Sequence, residues 1–207
     1  IANNLDTAAN MLALAADQDL VLQVGHQERF VARAIGLDRA PEKPVSIRAV
    51  RFGPRSARNT DVSVTLDLMT HDLDMAMYLI GQTPSKITGE SLKVYSDNPD
   101  TALADLEFSC GAKAHLEASR AEDGFTRITE ITYPSGKLVI DFVNKTFVNE
   151  TGFDFDAGFG NNPIAADSLG AATNAFTASI LDGAPVIVPG QAGYNSLEAA
   201  LKIDGVI

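Results

Sequence analysis

The stretch Val64–Leu79, VTLDLMTHDLDMAMYL, decides how the rest of the chain is read. Its apolar residues Leu66, Met69, Leu73 and Met77 recur every three or four positions, the period of a helix with one buried face. Asp67, His71, Asp74 and Tyr78 recur at the same spacing on another face. Side chains three or four apart on a helix are neighbours. The spacing therefore predicts a carboxylate and an imidazole, Asp67 and His71, one turn apart and able to act on one small molecule. Imidazole exchanges a proton near neutral pH, with an unperturbed pKa of about 6.5. A first-turn aspartate that suits a helix N-terminus, followed by a histidine on a wet face, fits the same pattern and is commoner. D-x-x-x-H spacing alone does not separate the two.

Upstream of this stretch, Asp6 is followed by Ala8, Ala9, Met11, Leu12, Leu14 and Ala15, a helix signal with Asp6 or Thr7 in place to cap it. After a turn at Asp17-Gln18-Asp19 comes the short apolar run Leu20–Val24, ending at Gly25. A helix, a tight turn and a buried-type strand make half of a βαβ unit. No strand precedes the helix, so the half unit reads as the back part of something larger, with a self-contained domain as the alternative. Gly25-His26-Gln27-Glu28-Arg29-Phe30 follows the run. Ligands of doubly wound sheets bind at the carboxyl ends of strands, which makes His26 and Arg29 candidate substrate contacts. Val31–Leu37 reads as a helix, and Pro41–Pro44 as a turn at a boundary.

Val45–Phe52 alternates as a strand with one wet face, and the basic loop Gly53–Val62 brings Arg55, Arg58 and Asp61 to the start of the central helix. Arginines there are candidate anion contacts, Arg58 among them. Beyond Gly81 and Pro84 the period changes to two. Ile87–Tyr95, Ala102–Ser109, Ala112–Ala118, Thr126–Tyr133, Lys137–Phe142 and a short Thr146–Val148 read as strands, with turns at Cys110-Gly111 and Pro134-Ser135-Gly136. Consecutive strands joined by hairpins predict an α+β unit built on an open, mainly antiparallel sheet. Ala165–Leu181 and Gln191–Ile203 read as helices covering one face of it. The residues Ile87, Leu92, Val94, Ile128, Ile131, Leu138 and Ile140 look too numerous for one face, so a partner subunit is expected on the other. The loop Thr151–Pro163 is expected at the sheet edge or over the site, and His115 as a sheet residue with no ligand role.

The chain has 207 residues, 45% hydrophobic and 21% charged, with a net charge of −11. That size allows an ordinary core, and the charge argues against non-specific binding to nucleic acid or anionic lipid. The single cysteine, Cys110, excludes an internal disulfide and a cysteine-rich zinc site. No apolar run approaches the roughly 18 residues that span a bilayer, and IANNLDTAAN has no signal-peptide character. A soluble cytoplasmic protein is expected, and the sequons at Asn144 and Asn149 then carry no meaning. No G-x-G-x-x-G, P-loop, G-x-S-x-G or H-E-x-x-H is present.

Three segments in this order, Leu22–Phe30 (LQVGHQERF), Thr60–Gly81 (TDVSVTLDLMTHDLDMAMYLIG) and Phe176–Ile203 (FTASILDGAPVIVPGQAGYNSLEAALKI), resemble the Gfo/Idh/MocA family of NAD(P)-dependent oxidoreductases. Within the family the pattern resembles members acting on nucleotide sugars. The resemblance implies a Rossmann domain that binds the dinucleotide, followed by an α/β domain with an open antiparallel sheet, substrate contacts and a subunit interface. It makes residues 1–30 the remnant of the Rossmann domain and 31–207 the substrate and oligomerisation domain. It matches Asp67 and His71 to the family's catalytic aspartate and histidine, and Arg29 to a site arginine. The implied reaction moves hydride between a sugar, nucleotide-sugar or polyol hydroxyl and NAD or NADP, with His71 as base.

The glycine-rich phosphate loop is absent, and Glu42-Lys43-Pro44 stands in the wrong place to be the family's catalytic lysine motif. The 207-residue chain is therefore expected to be a C-terminal fragment, neither holding NAD(P) tightly nor turning over alone. Two other readings stay open: a non-catalytic binding or dimerisation module, and a metal-dependent hydrolase or isomerase using His71, His26 and Asp67 or Asp74.

Overall fold

The structure is a computed structural model that describes residues 1–56 and 60–207. Seven strands form one sheet: β1 (Ser46–Phe52), β2 (Lys86–Leu92), β3 (Thr101–Glu107), β4 (Lys113–Ser119), β5 (Thr126–Tyr133), β6 (Gly136–Asp141) and β7 (Thr146–Asn149), in the order β2-β3-β4-β1-β5-β6-β7. Each pairing is antiparallel except β1 with β4, which is parallel. The exception follows from connectivity: the central helix lies between β1 and the three-strand meander β2–β4, and carries the chain across the sheet to its far edge. The open, mainly antiparallel sheet expected from the strand pattern is the one found. Tight hairpins join β3 to β4 and β5 to β6. At the second, Gly136 has φ of +155°, and a Cβ there would lie 2.4 Å from the Glu150 carbonyl oxygen, so this turn has no room for a side chain.

Alternation sorts the sheet into two faces. Ile47 and Ala49, Ala104 and Leu106, Ala114 and Leu116, Ile131, Leu138 and Ile140 are buried on one side. Against them pack α3 (Thr70–Ile80), preceded by a π-helical turn at Thr65–Met69, and α6 (Gly190–Ile203). The loop after β7 closes the β5–β7 end. Phe153 packs edge-on against Tyr133 and Phe159 stacks on Phe147, so the segment expected at an edge contributes Phe155 and Phe159 to the core. The opposite face carries Arg48, Asp105, His115, Glu117 and Glu130 in ion pairs. Ile87, Ile131, Leu138 and Ile140 belong to the covered side or pack on it, while Leu92 and Val94 are exposed at the end of β2. The apolar surplus expected on the open face is thus smaller than the residue count implied.

The helix α1 (Leu5–Asp17) starts two to three residues earlier than expected: Asn4 caps it, accepting from Thr7 N–H, and Asp6 sits in its first turn. It packs against α6 through Ala8, Leu197 and Leu201. The expected strand at Leu20–Val24 is only a bridge between Gln23 and Pro189, because no neighbouring strand is present among the described residues to extend it. The segment instead presses on the start of α6. A Cβ at Gly193 would lie 2.7 Å from Val24, and one at Gly190 2.6 Å from Leu22. Next comes α2 (Glu28–Ile35), which ends in the left-handed Gly36. The single helix expected at 165–181 is two, α4 (Pro163–Ala166) and α5 (Ser168–Leu181), since Asp167 turns to cap the second on Gly170 N–H.

Candidate active site

The central stretch is not one regular helix. Thr70 N–H bonds back to the Thr65 carbonyl, five residues earlier, so Val64–Met69 carries an extra residue per turn. Asp204, at the end of α6, anchors this turn by accepting from Ser63 Oγ (2.5 Å) and Thr65 Oγ1 (2.6 Å). Regular 3.6-residue geometry begins at Thr70, and Met69, Leu73 and Met77 are buried as the period required. Asp67 therefore lies on the wide turn and His71 on the regular helix.

Each meets its own partner. His71 Nδ1 lies 2.7 Å from Glu28 Oε2, with the imidazole 28% and the carboxylate 10% exposed. The contact is an ion pair by distance, and neither atom has a hydrogen-bond partner among the described residues. Asp67 meets Arg120 at 3.9 Å. Arg120 is itself fixed by Asp100 (3.0 Å) and by the carbonyls of Val62 and Pro99. Asp100, fully buried, also accepts the N–H groups of Val94, Tyr95 and Ser96. Burial works against its charge, but these bonds outweigh it and hold the carboxyl well below the usual range.

Glu28 is the hub of the cluster. It opens α2, where negative charge suits the helix dipole. Its Oε1 accepts from Arg127 of β5 at 2.6 Å and from Arg51 of β1 at 3.3 Å. Arg51 in turn holds Asp72 through both its Nε and Nη2. Burial works against the charge on Glu28. The contact with His71 and the two guanidinium groups outweigh it, so its carboxyl stays well below the usual range. Burial also opposes the charge on Arg51, but its pairing with Asp72 outweighs this and raises the guanidinium above its ordinary value.

Adjacent residues on a helix point about 100° apart, which sends Arg29 to a different partner. It holds Asp74 with two hydrogen bonds of 2.7 and 2.8 Å, donates to the Ile187 carbonyl and lies over the Tyr78 ring. It so clamps α2, α3 and the α5–α6 loop together. His26 sits edge-on to His71 with ring centres 5.3 Å apart, and its Nε2 is 3.0 Å from Ser196 Oγ. Burial lowers its pKa to about 4, partly offset by the charge of Asp74. His26 also lines a groove of about 290 Å³ with Leu66, Thr70, Gly193 and Ser196.

Of the residues expected to form a site, the fold brings His71 and His26 together, sets Asp67 on Arg120 and engages Arg29 with Asp74. Arg58 lies outside the described residues. Among the described residues no three histidine, cysteine, aspartate or glutamate side chains converge to hold a metal ion, so the metal reading has no donor set there. Sequence reasoning missed Glu28, Arg51 and Arg127. Glu28 stood between two residues that were picked out, but its partners come from strands 23 and 99 residues away, a separation no local pattern encodes.

A model of the GFO/IDH/MocA C-terminal domain matches residues 43–139. UDP-N-acetylglucosamine 3-dehydrogenase of Acidithiobacillus ferrooxidans is 29% identical over 214 residues, covering 96% of this chain and 67% of that protein. A solved structure of that dehydrogenase superposes with a TM-score of 0.84 at 29% identity, over 97% of this chain and 66% of its own. Myo-inositol 2-dehydrogenase of Thermotoga maritima is 25% identical over 94% of this chain and 64% of its own length. The chain thus spans about two thirds of the length of the relatives it matches. Residues 43–139 thus match the C-terminal domain of the Gfo/Idh/MocA oxidoreductases, and nearly the whole chain is similar in sequence and fold to proteins named as dehydrogenases.

Proposed function

We propose that this chain forms the substrate side of a dehydrogenase that moves hydride between a carbohydrate hydroxyl, foremost that of a nucleotide sugar, and NAD(P). The observation that carries the reading is His71: one ring edge rests on a buried carboxylate, while the imidazole as a whole stays 28% exposed. Of the two relatives matched over nearly the whole chain, the one more similar is named for a nucleotide sugar and the other for a polyol.

In this reading His71 takes the proton of the hydroxyl as its carbon loses hydride. Asp67, steadied by Arg120, binds and orients a substrate hydroxyl. His26, buried and uncharged at neutral pH, packs against the imidazole and shapes the groove beside it. Arg29 keeps α2 and α3 in register through Asp74, and Arg58 serves the substrate as an anion contact. The nicotinamide, when bound, supplies the hydride acceptor. The residues present fit the proton side of this chemistry. None forms a glycine-rich turn for the pyrophosphate, and we place that turn outside residues 1–207. A second copy of the chain is proposed on the open face of the sheet.

The test is formation of reduced nicotinamide by the protein in its native length, with UDP-N-acetylglucosamine, UDP-glucose and myo-inositol, each with NAD and NADP. Turnover is expected with at least one nucleotide sugar. Turnover with the polyol alone would move the substrate class, and no turnover with any carbohydrate hydroxyl would overturn the reading.

A further inference from the structure

We propose that Glu28 is the positioning residue for His71: it holds the proton on Nδ1 and leaves Nε2 as the nitrogen that meets substrate. One distance points to this. The angles at this contact are not those of a hydrogen bond, but two lone pairs 2.7 Å apart repel each other, so the closeness of the two atoms favours a proton on one of them. Glu28 does not carry it, because Arg127 at 2.6 Å and Arg51 at 3.3 Å favour its ionised form. The proton belongs to His71 Nδ1. In neutral imidazole the other nitrogen is then an acceptor, and His71 Nε2 has no hydrogen-bond partner among the described residues.

The surrounding charges support the same state. Packed around the pair are Arg51 and Arg127 from the sheet, Asp72 from α3, which reaches it through Arg51, and His26 from the loop before α2. Arg51 is already matched by Asp72 through two bonds, so Asp72 does not compete for the ring. His26 stays uncharged at neutral pH and does not oppose a second proton on His71. When His71 accepts a substrate proton at Nε2, the imidazolium forms in contact with a fixed anion, and no side chain has to move. A carboxylate that both selects the tautomer and stabilises the imidazolium is worth orders of magnitude in turnover in enzymes that use such a pair.

This kinetic consequence rests on the dehydrogenase reading; the tautomer does not. The first measurement is therefore spectroscopic, made on the 207-residue chain labelled with ¹⁵N at histidine. Long-range ¹H–¹⁵N correlation at neutral pH is expected to give His71 as the Nδ1–H tautomer. Nε2–H, or an even mixture, in the unaltered chain would overturn the proposal whether or not Glu28 variants fold. The second is Glu28→Gln in the protein of native length. It is expected to lose the single tautomer and to lower kcat by about 10³-fold, with KM changed far less. Glu28→Asp, which keeps the charge, is expected to recover at least tenfold of that loss. If Glu28 serves only as counter-ion to the arginines, Glu28→Gln lowers the melting temperature but leaves tautomer and kcat as they were, and the proposal fails. A confirmed tautomer in a protein that oxidises no carbohydrate would sink the dehydrogenase reading and leave this assignment standing.

Discussion

Two histidines in this molecule touch carboxylates at the same distance, and they differ in almost everything else. His71 Nδ1 is 2.7 Å from Glu28, a side chain 10% exposed and braced by two arginines. His115 Nδ1 is 2.7 Å from Asp105, a side chain 60% exposed on the open face of the sheet. Coulomb attraction at a given distance falls as water enters, and exposed pairs contribute little for that reason. The contact lengths do not separate a site from a decorated surface; the second set of partners behind each carboxylate does. Glu28 is fixed from three directions by β1, β5 and α3. Asp105 has His115 across the strand pair, and that histidine also reaches Glu117 at 3.4 Å.

The largest effect expected from this difference is in acid. His26, in the buried region, is held neutral with a pKa of about 4, against an ordinary 6.5. The unfolded chain binds a proton at this residue between pH 6.5 and 4 and the folded chain does not. Its contribution to stability is therefore complete above about pH 6.5 and declines as pH falls, by about 3 kcal/mol in all, at about 1.4 kcal/mol for each pH unit between the two values. Urea unfolding from about pH 7 to pH 4 is expected to show that slope, and His26→Gln to reduce it by this amount. An unchanged slope in the variant would mean that His26 is not the group responsible. Smaller is the effect of His115→Gln on the open face of the monomer, measured at a dilution where no second copy is bound: less than about 1 kcal/mol at neutral pH, with turnover untouched. At higher concentration, a loss of several kcal/mol, or a change of oligomeric state in a sedimentation measurement, would show that a second copy covers this face and buries the pair.

The same contrast explains what was legible in the sequence. Strand alternation from Ser46 to Asn149 follows from side chains facing core or water, and the open sheet could be read from it. The order of its strands could not, because the parallel β1–β4 pairing depends on where the central helix carries the chain. Met69, Leu73 and Met77 announced that helix, but a period of 3.6 could not foresee the π-helical turn. That turn depends on Asp204 reaching Ser63 and Thr65 from 141 and 139 residues away. Asp67 and His71 were legible as a pair by spacing, and the fold gives each a separate brace. Arg29 looked like a ligand contact because it followed a strand-like run. In the fold it opens a helix beside Glu28, and its donors engage Asp74 and the Ile187 carbonyl. Glu28 needed the three-dimensional neighbours Arg51 and Arg127 before its role could be seen.

The most direct test of the account is turnover by His71→Ala in the protein of native length, beside the unaltered protein, with the best substrate found. Removing a positioned general base is expected to cost between about 10² and 10⁴ in kcat, with far less change in KM. The melting temperature is expected to stay near that of the parent, because the imidazole is partly exposed. A variant that keeps the parent rate and pH profile would contradict the assignment of His71 as the base, and with it the reading of this cluster as an active site.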